Sequence, residues 1–237
     1  MSTVNIRHLF HIHRYKALVL LPLFLFFKTQ AQETNPLYDL QPFHMGFYIA
    51  PGVADFKIVR SENYFANDTV KHIGVKPIPG FEIGFLMDFR IGDHFNFRIL
   101  PGIGFIQRNM VYTFSDKTYE IETESINGNL PILLKYKSVR YKNTRFYVVG
   151  GVTFTRDFAS EEDAQRAPLK PLVPLKANRM QYEFGVGFDF YFDLFKFSPE
   201  IRLSRGVTNA LSPDEYVWTS ALDGIYTRLF EIKLQFE

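Results

Sequence analysis

From Phe81 to Ile91 the chain alternates without a break. Phe81, Ile83, Phe85, Met87, Phe89 and Ile91 share one parity; Glu82, Gly84, Leu86, Asp88 and Arg90 share the other. Successive side chains of a strand point to opposite faces, so this is a period-two pattern rather than a helical one. It makes one wholly apolar face and one that is polar, charged or glycine, apart from Leu86.

The same pattern recurs. Phe95, Phe97, Ile99, Ile103 and Phe105 oppose Asn96, Arg98, Leu100, Gly102 and Gly104. Tyr182, Phe184, Val186, Phe188, Phe190 and Phe192 oppose Glu183, Gly185, Gly187, Asp189 and Tyr191. Phe195, Phe197, Ile201, Leu203 and Val207 oppose Lys196, Ser198, Glu200, Arg202 and Ser204, and Phe230, Ile232, Leu234 and Phe236 oppose Glu231, Lys233 and Gln235. Three weaker alternations, over 43–52, 129–136 and 146–155, bring the expected number of strands to eight. The links between them alternate in length. Those at 53–79, 109–128, 157–178 and 208–225 are long; those near 92–94, 138–144 and 193–194 are short. Short turns at one end and long loops at the other are the habit of outer-membrane barrels, and an even strand number then puts both termini on the periplasmic side.

A soluble antiparallel sheet also alternates, with its apolar face inward, so a secreted β-sandwich or a lipocalin-like barrel is the competing architecture. Three features favour lipid on the apolar face. Glycines crowd the polar face (Gly84, Gly102, Gly104, Gly151, Gly185, Gly187, Gly206), as they do where the walls of a narrow barrel approach one another. The ionisable groups on that face balance: Glu82, Asp88, Glu183, Asp189, Glu200 and Glu231 against Arg90, Arg98, Lys135, Lys196, Arg202 and Lys233. A closed lumen needs such pairing, because a buried unpaired charge costs several kcal/mol. The chain also ends in Phe236-Glu237 on a strongly amphipathic strand, which resembles the signal read by barrel-assembly machinery. The aromatic content of 17%, with 26 Phe and 13 Tyr against one Trp, fits an outward, lipid-facing surface carried by Phe81, Phe85, Phe89, Phe97, Phe184, Phe188, Phe190, Phe230 and Phe236. Tyr136, Phe146, Tyr182 and Phe192, near strand ends, are candidates for interfacial girdles.

The first 31 residues read as a cleavable signal peptide: Arg7, Arg14 and Lys16 precede the apolar run Ala17–Phe27, and Thr29 and Ala31 stand at the positions a signal peptidase requires. The run has 11 residues, whereas a spanning helix needs about 20. Residues 32–42 form a periplasmic N-terminal segment and 43–237 the transmembrane barrel. The net charge of +2 gives no argument for nucleic acid. The absence of cysteine removes disulfides, thiolate metal sites and lipid attachment through sulfur.

No catalytic, cofactor-binding or metal-binding constellation is legible. Gly102-Ile103-Gly104 and Gly185-Val186-Gly187 lie within strands, not between a strand and a helix as a phosphate loop requires. His8, His11 and His13 fall in the leader, and His44, His72 and His94 are scattered. The acidic run Glu161-Glu162-Asp163 reads as solvated loop, and Pro168-Leu169-Lys170-Pro171-Leu172-Val173-Pro174 as a stiffened one.

The stretches Pro79-Gly80-Phe81-Glu82-Ile83-Gly84, Phe97-Arg98-Ile99-Leu100-Pro101-Gly102, Leu130-Pro131-Ile132-Leu133-Leu134-Lys135-Tyr136-Lys137-Ser138 and Phe197-Ser198-Pro199-Glu200-Ile201-Arg202-Leu203-Ser204 resemble the PorT/SprT family of outer-membrane barrels of the Bacteroidota. The resemblance implies an all-β, eight-stranded antiparallel up-and-down barrel, similar in kind to OmpA/OmpX-like porin-family barrels. It further implies a non-enzymatic biogenesis or accessory role in type IX secretion and gliding motility, with outer-membrane lipid and other secretion-system proteins as partners; the sequence identifies no small-molecule substrate. A small outer-membrane channel and a lipid A-modifying enzyme are the alternatives; the latter needs a His/Ser/Asp set at the external rim, which the sequence does not supply.

Overall fold

The computed structural model describes residues 37–61, 70–114, 117–160, 175–212 and 221–237. Residues 1–31, read above as a signal peptide, with their three histidines, the acidic run at 161–163 and the proline-rich stretch at 168–174 lie outside these residues. A short 3-10 turn, Tyr38–Leu40, precedes ten strand segments. They are β1 (Phe43–Arg60), β2 (Val70–Lys76), β3 (Ile78–Arg90), β4 (Phe95–Ile99), β5 (Gly102–Phe114), β6 (Thr118–Lys137), β7 (Thr144–Asp157), β8 (Asn178–Tyr191), β9 (Lys196–Gly206) and β10 (Leu222–Phe236).

Every pairing is antiparallel; counting β2 with β3 and β4 with β5 as single strands, each joins neighbours in the chain, and β1 pairs with both β3 and β10. Its Phe47 stands opposite Phe236 of β10 on one side and Phe85 of β3 on the other. Over its lower part the sheet therefore closes on itself; beyond Ala54, among the described residues, β1 pairs only with β10 and β2 only with β5. Ten segments make eight barrel strands. Pro77 separates β2 from β3, and Leu100-Pro101 separates β4 from β5, because proline has no N–H to give the ladder. At the second break the ladder is kept by the neighbours: Phe85 N donates to Pro101 O at 2.9 Å, and Leu100 N to Pro131 O at 3.1 Å.

Both described chain ends lie at one rim, here the terminal rim, which carries the tight links 91–94, 138–143 and 192–195. At the opposite, far rim the structure corrects the sequence reading. Much of the "long links" 53–79 and 109–128 is strand: β1 runs on to Arg60, β2 begins at Val70, β5 ends at Phe114 and β6 begins at Thr118. The 20 residues of β6 extend about 65 Å at ~3.3 Å each, against an apolar band of ~25 Å in outer-membrane barrels.

The extra length goes with a reversal of polarity. In the lower part of the barrel apolar side chains face out (Phe85, Phe184, Leu203, Ile232) and ionic ones face in. Beyond the level of Ala54, Ile106 and Leu229, which pack together, the interior becomes an apolar cluster. Phe56, Ile73, Met110, Tyr112, Ile121 and Ile225 form its heart. The exterior there carries ion pairs, Arg228 to Asp55 at 3.0 Å and Lys76 to Glu120 at 3.6 Å. The far part thus turns its apolar side chains inward and its charges outward, the reverse of the lower part.

Candidate functional site: the ionic lumen

The lower lumen is filled by side chains of alternate strand residues, locked in layers. Nearest the terminal rim, the guanidinium of Arg98 (β4) donates to Asp88 (β3) through Nε at 3.1 Å and Nη2 at 2.5 Å, and its Nη1 reaches Gln235 (β10) at 2.5 Å. Lys135 (β6) donates to both carboxylate oxygens of Asp189 (β8) at 2.8 Å, and Ser198 (β9) adds a hydroxyl at 2.7 Å. The next layer holds Glu200, which takes Arg202 Nε at 2.6 Å, Tyr147 Oη at 3.0 Å and Gln235 Nε2 at 2.9 Å. Above it Glu82 accepts from Tyr48 Oη at 2.6 Å, from Lys233 Nζ at 2.8 Å and from the Asn129 amide. Arg202 bridges on to Glu183 at 3.1 Å, and Lys233 to Glu231 at 3.3 Å.

Arg98, Arg202, Lys135, Asp189 and Ser198 have no exposed surface. Each of the named charges has an opposite partner, which offsets the cost of taking it out of water. Between the ionic groups pack Tyr48, Leu86, Leu100, Leu133, Tyr147 and Val149. The inward glycines make room for the two tyrosines. A Cβ on Gly84 would lie 2.7 Å from the Tyr48 ring, and one on Gly187 would lie 2.5 Å from the Tyr147 hydroxyl.

Of the twelve ionisable residues read from the alternation, the structure brings eleven into the lumen. Arg90 is the exception and a correction: it follows the last lumen layer on β3, so its chain turns back into the rim link, bonding Asp93 at 2.6 Å and Leu40 O at 3.2 Å. The nine phenylalanines all stand on the outer wall; Phe85 and Phe184 are the most open, at 66% and 54%, while Phe97, Phe190 and Phe236 are half-buried against neighbours. A near-continuous aromatic belt circles the terminal rim: Phe43–Phe89, Phe95–Tyr136, Phe146–Phe188, Phe192–Phe195 and Phe197–Phe236 lie 4.8–5.4 Å apart. Tyr182 is on the outer wall, away from this belt.

Sequence reading missed several members. Glu237 turns inward and binds Lys196 Nζ at 2.7 Å and Arg98 at 3.3 Å, so the last residue completes the first layer. A separate group sits higher: Asp157 accepts from Ser125 at 2.6 Å and from Arg179, which also reaches Asn127 at 2.8 Å. Parity could have found Asp157 and Arg179, had their strands been extended. The N-terminal turn was invisible to periodicity. Its Asp39 accepts from Tyr191 Oη at 2.8 Å and from Arg145 at 3.1 Å. Tyr38 stacks on His44 at 4.3 Å and lies under Lys196, and burial there pushes its phenol pKa up. His94 bonds Lys137 O in its turn and His72 is exposed, so His44, His72 and His94 do not converge.

Chemically, the arrangement is a set of buried, mutually bonded ion pairs that ties strands together. Comparison with solved structures finds outer-membrane proteins at low identity. The crystal structure of the outer membrane protein OprG from Pseudomonas aeruginosa is 11% identical, covering 82% of this chain and 94% of that one, with a TM-score of 0.47. Neisserial surface protein A is 9% identical over 80% of this chain and 95% of its own, at 0.40. Ail, the attachment invasion locus protein of Yersinia pestis, is 10% identical over 81% and 97%, at 0.33. No curated protein matches the chain. Residues 30–212 match the family model described as outer membrane protein beta-barrel domain. That match covers more than half of the sequence and agrees with the closed eight-stranded wall, so the chain belongs to this family of outer-membrane β-barrel proteins.

Proposed function

We propose that the protein is a non-conducting, non-enzymatic barrel that supports protein secretion by offering its rims and its far extension to other components. One observation carries this reading: Arg98, Lys135, Asp189 and Ser198 of the first lumen layer, and Arg202 of the next, have no surface open to water. An eight-stranded wall has an interior just wide enough for side chains, and here paired ions occupy it. Purified protein in planar bilayers is expected to give no steady conductance. Stable solute-permeable openings would replace this reading with that of a small channel.

The resemblance to the PorT/SprT family supports the finer assignment, an accessory role in type IX secretion and gliding motility. Deleting the gene should abolish export of type IX substrates and leave general outer-membrane permeability unchanged; an unaltered secretome would count against it. The tight links at the terminal rim and the long strands at the far rim support a topology with both mature termini periplasmic and the outward phenylalanines in lipid. Protease added to whole cells should then cut only in the links beyond the far rim. Amino-terminal sequencing of the exported protein should begin at Gln32.

A further inference from the structure

Arg108, on β5, is an interior cation without a partner. It is 2% exposed, and its guanidinium makes no hydrogen bond or ion pair among the described residues. Its contact is the face of the Phe56 ring, 5.4 Å from the guanidinium carbon. The charges that reach it are those of Arg179, Asp157, Asp55 and Glu231. None of the three carboxylates bonds it. Asp157 binds Ser125 and Arg179; Asp55 binds Arg228 on the outer wall; Glu231 lies 3.3 Å from Lys233 in the layer below, which it shares with Glu82.

Arginine stays protonated in proteins, and a buried charge needs a counter-charge or a hydrogen-bonding partner. Asp157 is taken up by the guanidinium of Arg179, so Arg108 beside it is buried with no carboxylate bonded to it. Further donors stand ready at the same level. Arg179 Nε and Thr227 Oγ1 are buried and have no partner among the described residues. Register puts Thr227 directly opposite Phe56, the ring under Arg108. The site lies where the ionic lumen gives way to the apolar cluster that contains Met110 and Phe56.

We infer that a small inorganic anion of halide size is bound inside the barrel between Arg108 and Arg179, completing the charge balance of this level. The near-total burial of Arg108 restricts the ligand to a compact ion. Asp157, with both its oxygens already engaged, holds Arg179 in place without neutralising its neighbour.

The test is thermal unfolding of the full barrel in neutral detergent, with sodium bromide titrated against sodium gluconate at constant ionic strength. Once bromide exceeds its dissociation constant, each tenfold increase should raise the midpoint by roughly 3–6 °C. Arg108→Met should remove that dependence, and in gluconate alone it should be at least as stable as the parent. Arg90→Gln, at the rim, should keep the full bromide response. A midpoint indifferent to bromide, or a response that survives in Arg108→Met, would overturn the site. If Arg108→Met does not fold, crystals of the unaltered protein grown in bromide decide: anomalous density beside the Arg108 guanidinium supports the inference, and its absence refutes it.

Discussion

Lys135 on β6 and Asp189 on β8 meet across the intervening strand, with Nζ 2.8 Å from each carboxylate oxygen and the Tyr147 ring of β7 beneath the ammonium at 3.8 Å. The pair is fully enclosed. Removing one partner strands the other in an interior with no water to receive it. Lys135→Met should therefore cost about 3–5 kcal/mol, measured by urea unfolding in detergent micelles. Lys135→Met with Asp189→Leu should recover most of that loss, since an apolar pair of similar volume leaves no charge unmatched.

A methyl group at position 187 meets the Tyr147 hydroxyl at 2.5 Å and its ring at 2.6 Å. The ring must move, breaking its 3.0 Å bond to Glu200, and the strands must spread as well, since the Pro199 carbonyl oxygen stands 2.7 Å from the same methyl. Gly187→Ala is expected to destabilise by about 1–3 kcal/mol, and the penalty should shrink when Tyr147→Phe removes the hydroxyl. Paired unfolding curves of the single and double variants check this.

The reversal of polarity along the wall separates two kinds of surface. Phe184→Arg places a cation on the apolar outer wall and should cost about 2–4 kcal/mol in lipid. Glu120→Arg, on the outside of the far extension, loses an exposed pair and should change stability by no more than about 0.5 kcal/mol. Unfolding in lipid bilayers compares the two; equal costs would mean that the apolar band is misplaced.

Asp39 ties the N-terminal turn to Tyr191 and Arg145. It is partly exposed, so its charge-assisted bonds are discounted for solvent. Asp39→Ala should cost about 1 kcal/mol, expressed locally. Hydrogen exchange at the Leu40 and Gln41 amides should accelerate while the β3 and β8 amides keep their protection.

Strand number, the inward or outward sense of each residue and the ionic filling were legible because a period of two survives in any single strand. Phe184 and Glu183 differ by one position and face opposite solvents, which needs no knowledge of the rest of the molecule. What was not legible came from outside that rule. β1 beyond Val53 reads Ala-Asp-Phe-Lys-Ile, still alternating, but with its apolar side turned inward; tracking only lipid-type alternation turned this segment into a loop. Arg90 has the correct parity for the lumen, yet the strand ends beside it. Asp39 and Glu237 enter the network from chain ends, where no periodicity applies. The pairing of Arg98 with Asp88, or of Lys135 with Asp189, depends on register between strands far apart in sequence.

The reversal near Ala54, Ile106 and Leu229 also acts as a depth gauge. A slip of one residue between strands would turn every side chain over, as in any sheet. A slip of two would preserve the faces and pass unnoticed in a uniform barrel. Here it would drag the changeover of that strand by nearly 7 Å relative to its neighbours, setting carboxylates beside acyl chains and rings beside water. The vertical address of each strand is thus written into the strand itself, and assembly has a reason to reject near misses as well as gross ones.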